Sequence, residues 1–293
     1  MPQAAPTANE AEGLTCERLA HGTPVWVSRE HRFGTDAMLL SHFCGVRRAE
    51  RCCDLGSGCG IIPLRWHDAG HRGLCLTVEL QPPAAALLQK ALHTPCLPQA
   101  AAPALCRESS GAKTAAADAA DAPPKAALPD GLPDEEAFAH ARHIIGLCAD
   151  LRTAGWEAAA GGRPLDVVCC NPPYFAGGFV STRQSRAAAR HQLTCTTDDV
   201  CRTAARLLRD GGRLCLCQRP AALAQVMAAC VAAGLQPKRL RLVRQRPGSR
   251  PWLFLLDARK AGGVGLDLLD DLVMEGPDGG FSPEVLRIYG KAP

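Results

Sequence analysis

The stretch Leu165-Asp166-Val167-Val168-Cys169-Cys170, followed by Asn171-Pro172-Pro173-Tyr174, decides the fold of this chain. The apolar run has the length of a buried strand. Two adjacent prolines cannot continue a sheet ladder, so the backbone must leave the sheet here. An amide side chain, a carbonyl and an aromatic ring therefore cluster at the carboxyl end of a predicted parallel strand. Open α/β sheets bind their ligands at this edge.

Strand and helix patterns alternate along the rest of the chain. The predicted strands are Arg51 to Leu55, Leu74 to Glu79, His143 to Ala149, Leu165 to Cys170, Arg213 to Gln218, Lys238 to Gln245 and Trp252 to Asp257. The predicted helices are Ile61 to Ala69, Pro82 to Leu92, Thr196 to about Leu208 with a stop at Gly211-Gly212, and Ala221 to Ala233. These βα units predict an α/β fold with a mostly parallel sheet. The turn Arg246-Pro247-Gly248-Ser249 predicts a final hairpin that supplies an antiparallel strand.

A glycine-rich turn, Asp54-Leu55-Gly56-Ser57-Gly58-Cys59-Gly60, follows the first of these strands. The dinucleotide fingerprint needs its third glycine at position 61, which is Ile61, so the spacing argues against a dinucleotide site. A bare backbone turn with a carboxylate at its base suits a methionine-like amino acid instead. Asp54 would attract the ammonium, and the N–H groups at the helix start would suit the carboxylate.

Acidic residues end the next two strands. Glu79 could accept both hydroxyl hydrogens of a ribose, because an ionised carboxylate offers two oxygens. Asp150 could face an adenine amine, or it could be an ordinary loop carboxylate or helix cap. The sequence therefore predicts an adenosyl cofactor held by Asp54, Gly56, Ser57, Gly58, Gly60, Glu79, Asp150 and Asn171.

Methylation of a planar amine is the chemistry that the Asn-Pro-Pro-Tyr segment favours. The side-chain oxygen of Asn171 and the carbonyl of Pro172 would accept the amine hydrogens and stabilise the charge that develops on nitrogen. Tyr174 would stack on the planar acceptor. The alternative is a plain strand exit stiffened by prolines. Methylation of cytosine C5 would require a positioned cysteine nucleophile. The only Pro-Cys dipeptide, Pro95-Cys96, lies in a low-complexity segment, so this mechanism is disfavoured.

Composition places the chain among intracellular globular proteins. It has 293 residues, 47% of them hydrophobic, and we expect a cytoplasmic protein because the amino terminus lacks an apolar signal core and no long apolar run occurs. The 16 cysteines sit inside apolar runs, for example Cys215 and Cys217 on one strand face. They are expected to be core residues and not metal ligands, so we predict no metal site.

Charge is distributed unevenly along the chain. Between Arg183 and Arg250, 14 Lys and Arg face three Asp, which gives +11 and leaves −7 for the rest of a chain whose net charge is +4. This asymmetry favours a polyanionic partner, with an arginine-rich solvated surface as the alternative.

One segment does not fit the α/β pattern. Residues 94–141 are rich in Ala and Pro, and we predict a low-complexity, disordered insertion there. The expected organisation is a flexible segment at 1–20 and a single domain at 21–293 that this insertion interrupts.

These motifs resemble class I S-adenosylmethionine-dependent methyltransferases, and the chain looks most like the bacterial tRNA(Val) adenine-37 N6-methyltransferase family. The further likeness lies in Phe33-Gly34-Thr35-Asp36-Ala37-Met38-Leu39-Leu40, Arg186-Ala187-Ala188-Ala189-Arg190-His191, Gln218-Arg219-Pro220, Pro237-Lys238-Arg239-Leu240 and Gly279-Gly280-Phe281-Ser282-Pro283-Glu284. The chain departs from the family in the insertion and at Gln192, where the family usually has an acid. The resemblance implies a Rossmann-like, seven-stranded sheet with helices on both faces.

The resemblance also implies S-adenosylmethionine as the cofactor and N6-methylation of an adenine in tRNA as the activity, with Asn171, Pro172 and Tyr174 as catalytic residues. The expected substrate-binding residues are Pro173, Phe175, Arg183, Arg186, Arg190, Lys238, Arg239 and Arg241. Other acceptor amines remain open: rRNA adenine or guanine, DNA adenine, or a protein glutamine. A non-catalytic RNA-binding relative is a further alternative. We expect a monomer or weak homodimer that binds tRNA, without a membrane partner.

Overall fold

A computed structural model describes residues 13–96, 141–172 and 195–291 of the chain. Six predicted site residues lie outside these ranges, as do Gln192 and most of the predicted insertion. The six are Pro173, Tyr174, Phe175, Arg183, Arg186 and Arg190.

The described chain alternates strands and helices, as its sequence predicts. The strands are β1 (Thr15–Arg18), β2 (Pro24–Val27), β3 (Cys52–Leu55), β4 (Cys75–Glu79), β5 (Ile144–Cys148), β6 (Leu165–Cys170), β7 (Leu208–Gln218), β8 (Leu235–Arg244), β9 (Pro251–Lys260), β10 (Asp267–Leu268) and β11 (Leu272–Val273). The helices are α1 (Thr35–Phe43), α2 (Ile61–Asp68), α3 (Pro82–Leu92), α4 (Thr197–Leu207), α5 (Leu223–Ala232) and α6 (Pro283–Ile288). Short 3-10 helices occupy Trp156–Ala160 and Pro220–Ala222.

The main sheet has the order β10-β8-β9-β7-β6-β3-β4-β5, with β11 also paired to β8. Strands β3 to β7 run parallel, and β9 is antiparallel to both β7 and β8. The predicted Rossmann-like α/β fold, with its antiparallel strand, is confirmed. The seven predicted strands are β3 to β9, and two two-residue strands extend the edge at β8.

One detail differs from the sequence prediction. The predicted helix stop at Gly211-Gly212 is wrong, because α4 ends at Leu207 and the glycine pair lies inside β7. The register between β6 and β7 shifts at this point and Gly211 has φ +74°, so the glycines form an irregularity in the strand and not a turn.

The amino-terminal region contributes a hairpin. Strand β1 lies within the segment 1–20 that the sequence suggested to be flexible, and it pairs with β2. The first residues of the predicted insertion are attached to this hairpin, since the indole N–H of Trp26 donates to Thr94 Oγ1 at 2.8 Å.

Two hydrophobic cores cover the two faces of the sheet. Helices α1, α2, α3 and α6 pack on one face, and α4 and α5 pack on the other. Alternation along each strand divides the cysteines between the cores: Cys169, Cys215 and Cys217 are buried in the first, and Cys170 in the second. The prediction that Cys215 and Cys217 share a face is confirmed, and the fifteen cysteines in the described ranges are free thiols.

The described ranges contain no cluster of three or more His, Cys, Asp or Glu side chains able to hold a metal ion. Within the same ranges, every helix is too short or too polar to cross a bilayer.

Candidate active site

The carboxyl ends of β3, β4 and β6 meet at one edge of the sheet. Leu55 pairs with Val78 on one side and with Cys170 on the other, so the segments that follow these strands start side by side. A cavity of about 390 Å³ opens there, which is within the usual size of small-molecule sites. The predicted residues that line it are Asp54, Gly56, Ser57, Gly58, Glu79, Asp150, Asn171 and Pro172.

The glycine-rich turn is held by backbone hydrogen bonds. The N–H groups of Gly56 and Ser57 both donate to the carbonyl of Val78, at 2.8 and 3.1 Å. Gly56 and Gly58 have positive φ values, and no described atom lies within 4 Å of the place that a Cβ would take at either residue. The turn thus leaves room for a ligand to approach the backbone.

Gly60 precedes α2 and is not among the residues that line the described cavity. Its φ is +80°, and a Cβ there would lie 2.5 Å from Leu88 Cδ1. Gly60 packs against α3, and its predicted contact with the cofactor stays a prediction.

A pair of alanine substitutions separates these roles. We expect Gly60→Ala to lower the free energy of unfolding by about 2–3 kcal/mol, because it adds a clash to the left-handed backbone cost. Gly58→Ala, at φ +55° but without the clash, should cost about 1 kcal/mol and mainly weaken cofactor binding. Denaturant unfolding and cofactor titration of both variants measure this. Equal losses of stability would contradict it.

Asp54 is a buried carboxylate at the base of the turn, only 1% exposed. Its Oδ1 accepts a hydrogen bond from the Cys169 thiol at 3.2 Å, whereas Oδ2 has no hydrogen-bond partner in the described part of the chain. Burial raises the pKa of Asp54 to about 7, and the nearby charge of Glu79 acts in the same direction. The hydroxyl of Ser57 is also buried without a partner among the described residues.

Glu79 ties the two strand ends together. Its Oε2 accepts from the Gly58 N–H and its Oε1 from the Gln81 N–H, both at 2.8 Å. Each carboxylate oxygen has a second lone pair, so both can still accept a hydroxyl hydrogen of a ribose. Glu79 is only 6% exposed, and the two hydrogen bonds hold its carboxylate in a fixed orientation.

Asp150 lines the cavity but turns its carboxylate towards Arg152. The Arg152 guanidinium contacts both oxygens, at 2.5 Å from Nη2 to Oδ2 and 2.9 Å from Nε to Oδ1. These hydrogen bonds lower the pKa of Asp150. Asp150 thus borders the cavity and also closes a local loop. Its predicted contact with an adenine amine stays a prediction.

Asn171 lines the cavity and directly follows β6. Its Oδ1 accepts a hydrogen bond from the thiol of Cys217 at 3.0 Å. Cys217 lies on the neighbouring strand β7 and is completely buried. The amide of Asn171 is therefore supported from within the core, while the carbonyl of Pro172 follows it at the cavity wall.

A matched pair of cysteine variants tests this support. Cys215 is equally buried and lies two residues earlier on the same strand face, but it contacts Cys44 and not Asn171. We expect Cys217→Ala to lower kcat about three- to tenfold, since it removes one weak hydrogen bond. Cys215→Ala should cost a similar amount of stability without this loss of kcat. The proposed support is wrong if the two variants have the same kcat.

Several cavity residues were not recognised as site residues from the sequence. They are Phe33, Gly34, Asp36, Leu151, Thr196 and Thr197. The Phe33-Gly34-Thr35-Asp36 motif was a signal that could have found the first three. Thr196 and Thr197 lie at the start of α4, which has a capping box: Thr196 Oγ1 accepts from the Asp199 N–H at 3.2 Å, and Asp199 Oδ2 accepts from the Thr196 N–H at 2.9 Å.

Most of the described positive charges between Arg183 and Arg250 lie next to carboxylates in the folded protein. Eight of the eleven described Lys and Arg between Arg183 and Arg250 form ion pairs, and seven of the eight acidic partners lie outside that stretch. Arg239 pairs with Asp257 and Arg241 with Glu284. Lys238 donates to the carbonyl of Gly263. None of these three predicted substrate residues belongs to the described cavity wall.

The donor set fits S-adenosylmethionine. The unpartnered Asp54 oxygen matches an ammonium, the unpartnered Ser57 hydroxyl matches a polar ligand atom, and the space above Gly56 and Gly58 admits a ligand close to the backbone. Together with the fold, this site defines a class I S-adenosylmethionine-dependent methyltransferase.

The comparison with known proteins adds a relationship. The tRNA1(Val) (adenine(37)-N6)-methyltransferase of Porphyromonas gingivalis is 25% identical over 264 residues, which cover 88% of this chain and 86% of that protein. The protein of the same description from Dickeya chrysanthemi is 27% identical over 186 residues, which cover 63% and 55% respectively. The chain is thus related to the tRNA1(Val) (adenine(37)-N6)-methyltransferases.

A solved structure supports the fold. The crystal structure of a predicted O-methyltransferase from Agrobacterium tumefaciens superposes with a TM-score of 0.59 at 24% identity, covering 88% of this chain and 97% of that chain. No protein-family profile matches the sequence.

Proposed function

We propose that this methyltransferase transfers a methyl group from S-adenosylmethionine to N6 of an adenine in tRNA, with adenine 37 of tRNA(Val) as the specific target. The position of Asn171 and Pro172 in the wall of the cavity carries this proposal. Two adjacent oxygen acceptors there suit the two hydrogens of an exocyclic amine. The choice of tRNA as the nucleic acid and of adenine 37 as the nucleotide follows the descriptions of the related proteins.

Asn171 acts on the developing charge. When nitrogen attacks, its lone pair withdraws from the aromatic ring and its two N–H bonds become more acidic, so acceptors for both hydrogens lower the barrier. The Oδ1 atom of Asn171 and the carbonyl of Pro172 supply these acceptors. Bound S-adenosylmethionine supplies the methyl group: the sulfur–carbon bond breaks, the sulfur keeps the electron pair, and the nitrogen–carbon bond forms. The proton then leaves the methylated nitrogen.

Asp54 and Glu79 orient the cofactor. The Asp54 carboxylate neutralises the ammonium of the methionine part, and the Glu79 carboxylate accepts from the ribose hydroxyls. The buried hydrogen bond to Cys169 and the two backbone hydrogen bonds to Glu79 hold these acids in place. With the cofactor fixed, Asn171 and Pro172 orient the acceptor amine towards the methyl group.

The test compares acceptors directly. Purified protein is incubated with methyl-labelled cofactor and, in separate reactions, with bulk tRNA, rRNA, DNA and a peptide-release factor, and each product is digested and identified. We expect label in N6-methyladenosine from tRNA. Label on guanine or glutamine, or no label in tRNA, would reject this substrate.

A further inference from the structure

A single basic residue, Arg32, lines the described cavity. It lies in the segment between β2 and α1 and is exposed. The other charged residues of the described wall are all acidic, and they are Asp36, Asp54, Glu79 and Asp150. Carboxylate charges repel a phosphate that approaches the cavity, whereas the charge of Arg32 attracts it. Arg32 therefore marks the part of the wall where a phosphate is accepted.

The charge of Arg32 is not taken up by a neighbouring acid. Within the described ranges its guanidinium forms no ion pair and no hydrogen bond. Burial raises the pKa of Glu17 on β1, and the charge of Arg32 opposes this rise without forming an ion pair with the carboxylate. Arg241, in contrast, is held by Glu284. Arg32 is thus available to an anion that arrives from solvent.

The carboxylate of S-adenosylmethionine is expected in another part of the cavity. It is bonded to the same carbon as the ammonium, which the proposed function assigns to Asp54. Asp54 is 1% exposed, and Ser57, whose hydroxyl has no partner among the described residues, is 6% exposed. Both charged groups of the amino acid therefore belong to the buried part of the cavity. The exposed Arg32 instead meets groups of the methyl acceptor, which enters from solvent.

An arginine is well suited to a phosphate. Its planar guanidinium presents paired N–H donors that match two phosphate oxygens, and it stays charged at physiological pH. Phosphate contacts fix the position of a nucleic acid on a protein and do not read its bases. Because Arg32 shares the cavity wall with Asn171 and Pro172, it can hold the backbone while these two residues hold the amine.

We propose that Arg32 binds a backbone phosphate next to the adenine that is methylated, and thereby fixes the position of that adenine in the cavity. This inference rests on the proposed function, because it requires a nucleic acid as the substrate. It places a substrate-binding residue outside the basic stretch from Arg183 to Arg250. The described residues that the sequence predicted for this role, Lys238, Arg239 and Arg241, do not line the described cavity.

The first experiment tests the charge of Arg32. Binding of a fluorescently labelled RNA hairpin with an adenine in its loop is measured with S-adenosylhomocysteine present, so that no methyl transfer occurs. We expect Arg32→Gln to weaken binding about tenfold at about 0.15 M salt, and to reduce the slope of log affinity against log salt by about 0.7 to 1, the size of one lost phosphate contact. Arg32→Lys keeps the charge and should keep the slope. The cofactor dissociation constant and the melting temperature should stay at their wild-type values.

The second experiment tests the position of the phosphate. Two hairpins each carry one uncharged methylphosphonate linkage, directly 5′ or directly 3′ of the loop adenine, and a third carries neither; all three have the same 2′-O-methyl sugars. We expect one of the two linkages to weaken binding by the wild type about tenfold and to have no further effect on Arg32→Gln, because both changes remove the same contact. Losses that add up for both linkages would reject the contact.

Arg29→Gln is the matched control. Arg29 is exposed in the same segment, three residues before Arg32, but it does not line the described cavity, so this variant should bind the hairpin as the wild type does. If the wild type methylates RNA and Arg32→Gln keeps the wild-type affinity and salt slope, the contact is rejected and the proposed function stands. If Arg32→Gln weakens cofactor binding and leaves RNA binding unchanged, Arg32 holds the cofactor carboxylate and the proposal is wrong. If the wild type methylates no RNA, the proposal and the proposed function are both rejected.

Discussion

Replacing Asn171 by alanine should lower kcat by about 100- to 1000-fold and leave the cofactor dissociation constant nearly unchanged. The variant removes an acceptor that acts on charge formed only in the transition state, and the loss of one such group typically has this size. The other proposed cofactor contacts come from the turn after β3 and from Glu79, and the described hydrogen bond of Asn171 involves neither. Single-turnover methylation and cofactor titration measure the two quantities separately.

Gln218→Ala provides the control for this experiment. Gln218 carries a buried amide at the end of the neighbouring strand, but it is not part of the described cavity wall. Its loss disturbs the same edge of the sheet without removing the acceptor. We therefore expect a much smaller loss of kcat for Gln218→Ala. Comparable losses in the two variants would show that the effect of Asn171→Ala is structural.

The main strands were predictable because each carries its own signal. The run from Leu165 to Cys170 is apolar throughout and ends at two prolines, so its position and its end follow from local sequence alone. Strand β1 has no such signal, since Thr15–Arg18 contains a single apolar residue and becomes a strand by pairing with β2. The Gly211-Gly212 pair has the composition of a helix stop, and only the register with β6 shows that it lies within a strand.

The charges show a different limit of sequence analysis. The count of Lys and Arg between Arg183 and Arg250 is correct, but a linear count cannot reveal which acids fold against them. Arg213 pairs with Glu50, 163 residues away, and Arg241 pairs with Glu284 of α6. The first pair joins β7 to the segment before β3, and the second joins β8 to α6. Charge asymmetry along the chain is therefore weaker support for RNA binding than it was from the sequence.

The acidic cavity residues include contacts that the sequence predicted and contacts that it did not. Glu79 and Asp54 were predicted from their positions at strand ends, and the shared register of parallel strands brings them to one cavity. The pairing of Asp150 with Arg152 was not predicted, because it depends on the local loop conformation. The thiols behind Asp54 and Asn171 were also missed, since a cysteine in an apolar run has the same sequence signature whether or not it touches a functional group.

Replacing Asp54 by asparagine should stabilise the cofactor-free protein at high pH. The folded-state pKa of Asp54, about 7, lies above the ordinary aspartate value of 3.8. The wild-type contribution of this carboxyl is therefore complete below about pH 4 and is lost as the pH rises towards 7. Asparagine keeps a polar group of similar size that never ionises. We expect Asp54→Asn to exceed the wild type by up to about 4 kcal/mol at about pH 8, and by nothing at about pH 4.

The same substitution should weaken cofactor binding. The ammonium of S-adenosylmethionine loses its buried counter-charge, which corresponds to about a 10- to 100-fold weaker affinity at about pH 8. At about pH 6 the difference should shrink, because most of the wild-type Asp54 is then protonated and must release its proton on binding. Calorimetry in two buffers with different ionisation enthalpies detects that proton.

Asp257→Asn separates these effects from the loss of any buried carboxylate. Asp257 is also 1% exposed, but it pairs with Arg239 and is not part of the described cavity wall. Its replacement leaves a guanidinium without its partner and should destabilise the protein, with little change in cofactor affinity. If Asp54→Asn, but not Asp257→Asn, raises stability and lowers cofactor affinity, the protein keeps an unfavourable buried charge at Asp54 for the sake of ligand binding. If Asp54→Asn is destabilising at about pH 8, the carboxylate is structural and its assignment to the cofactor ammonium is wrong.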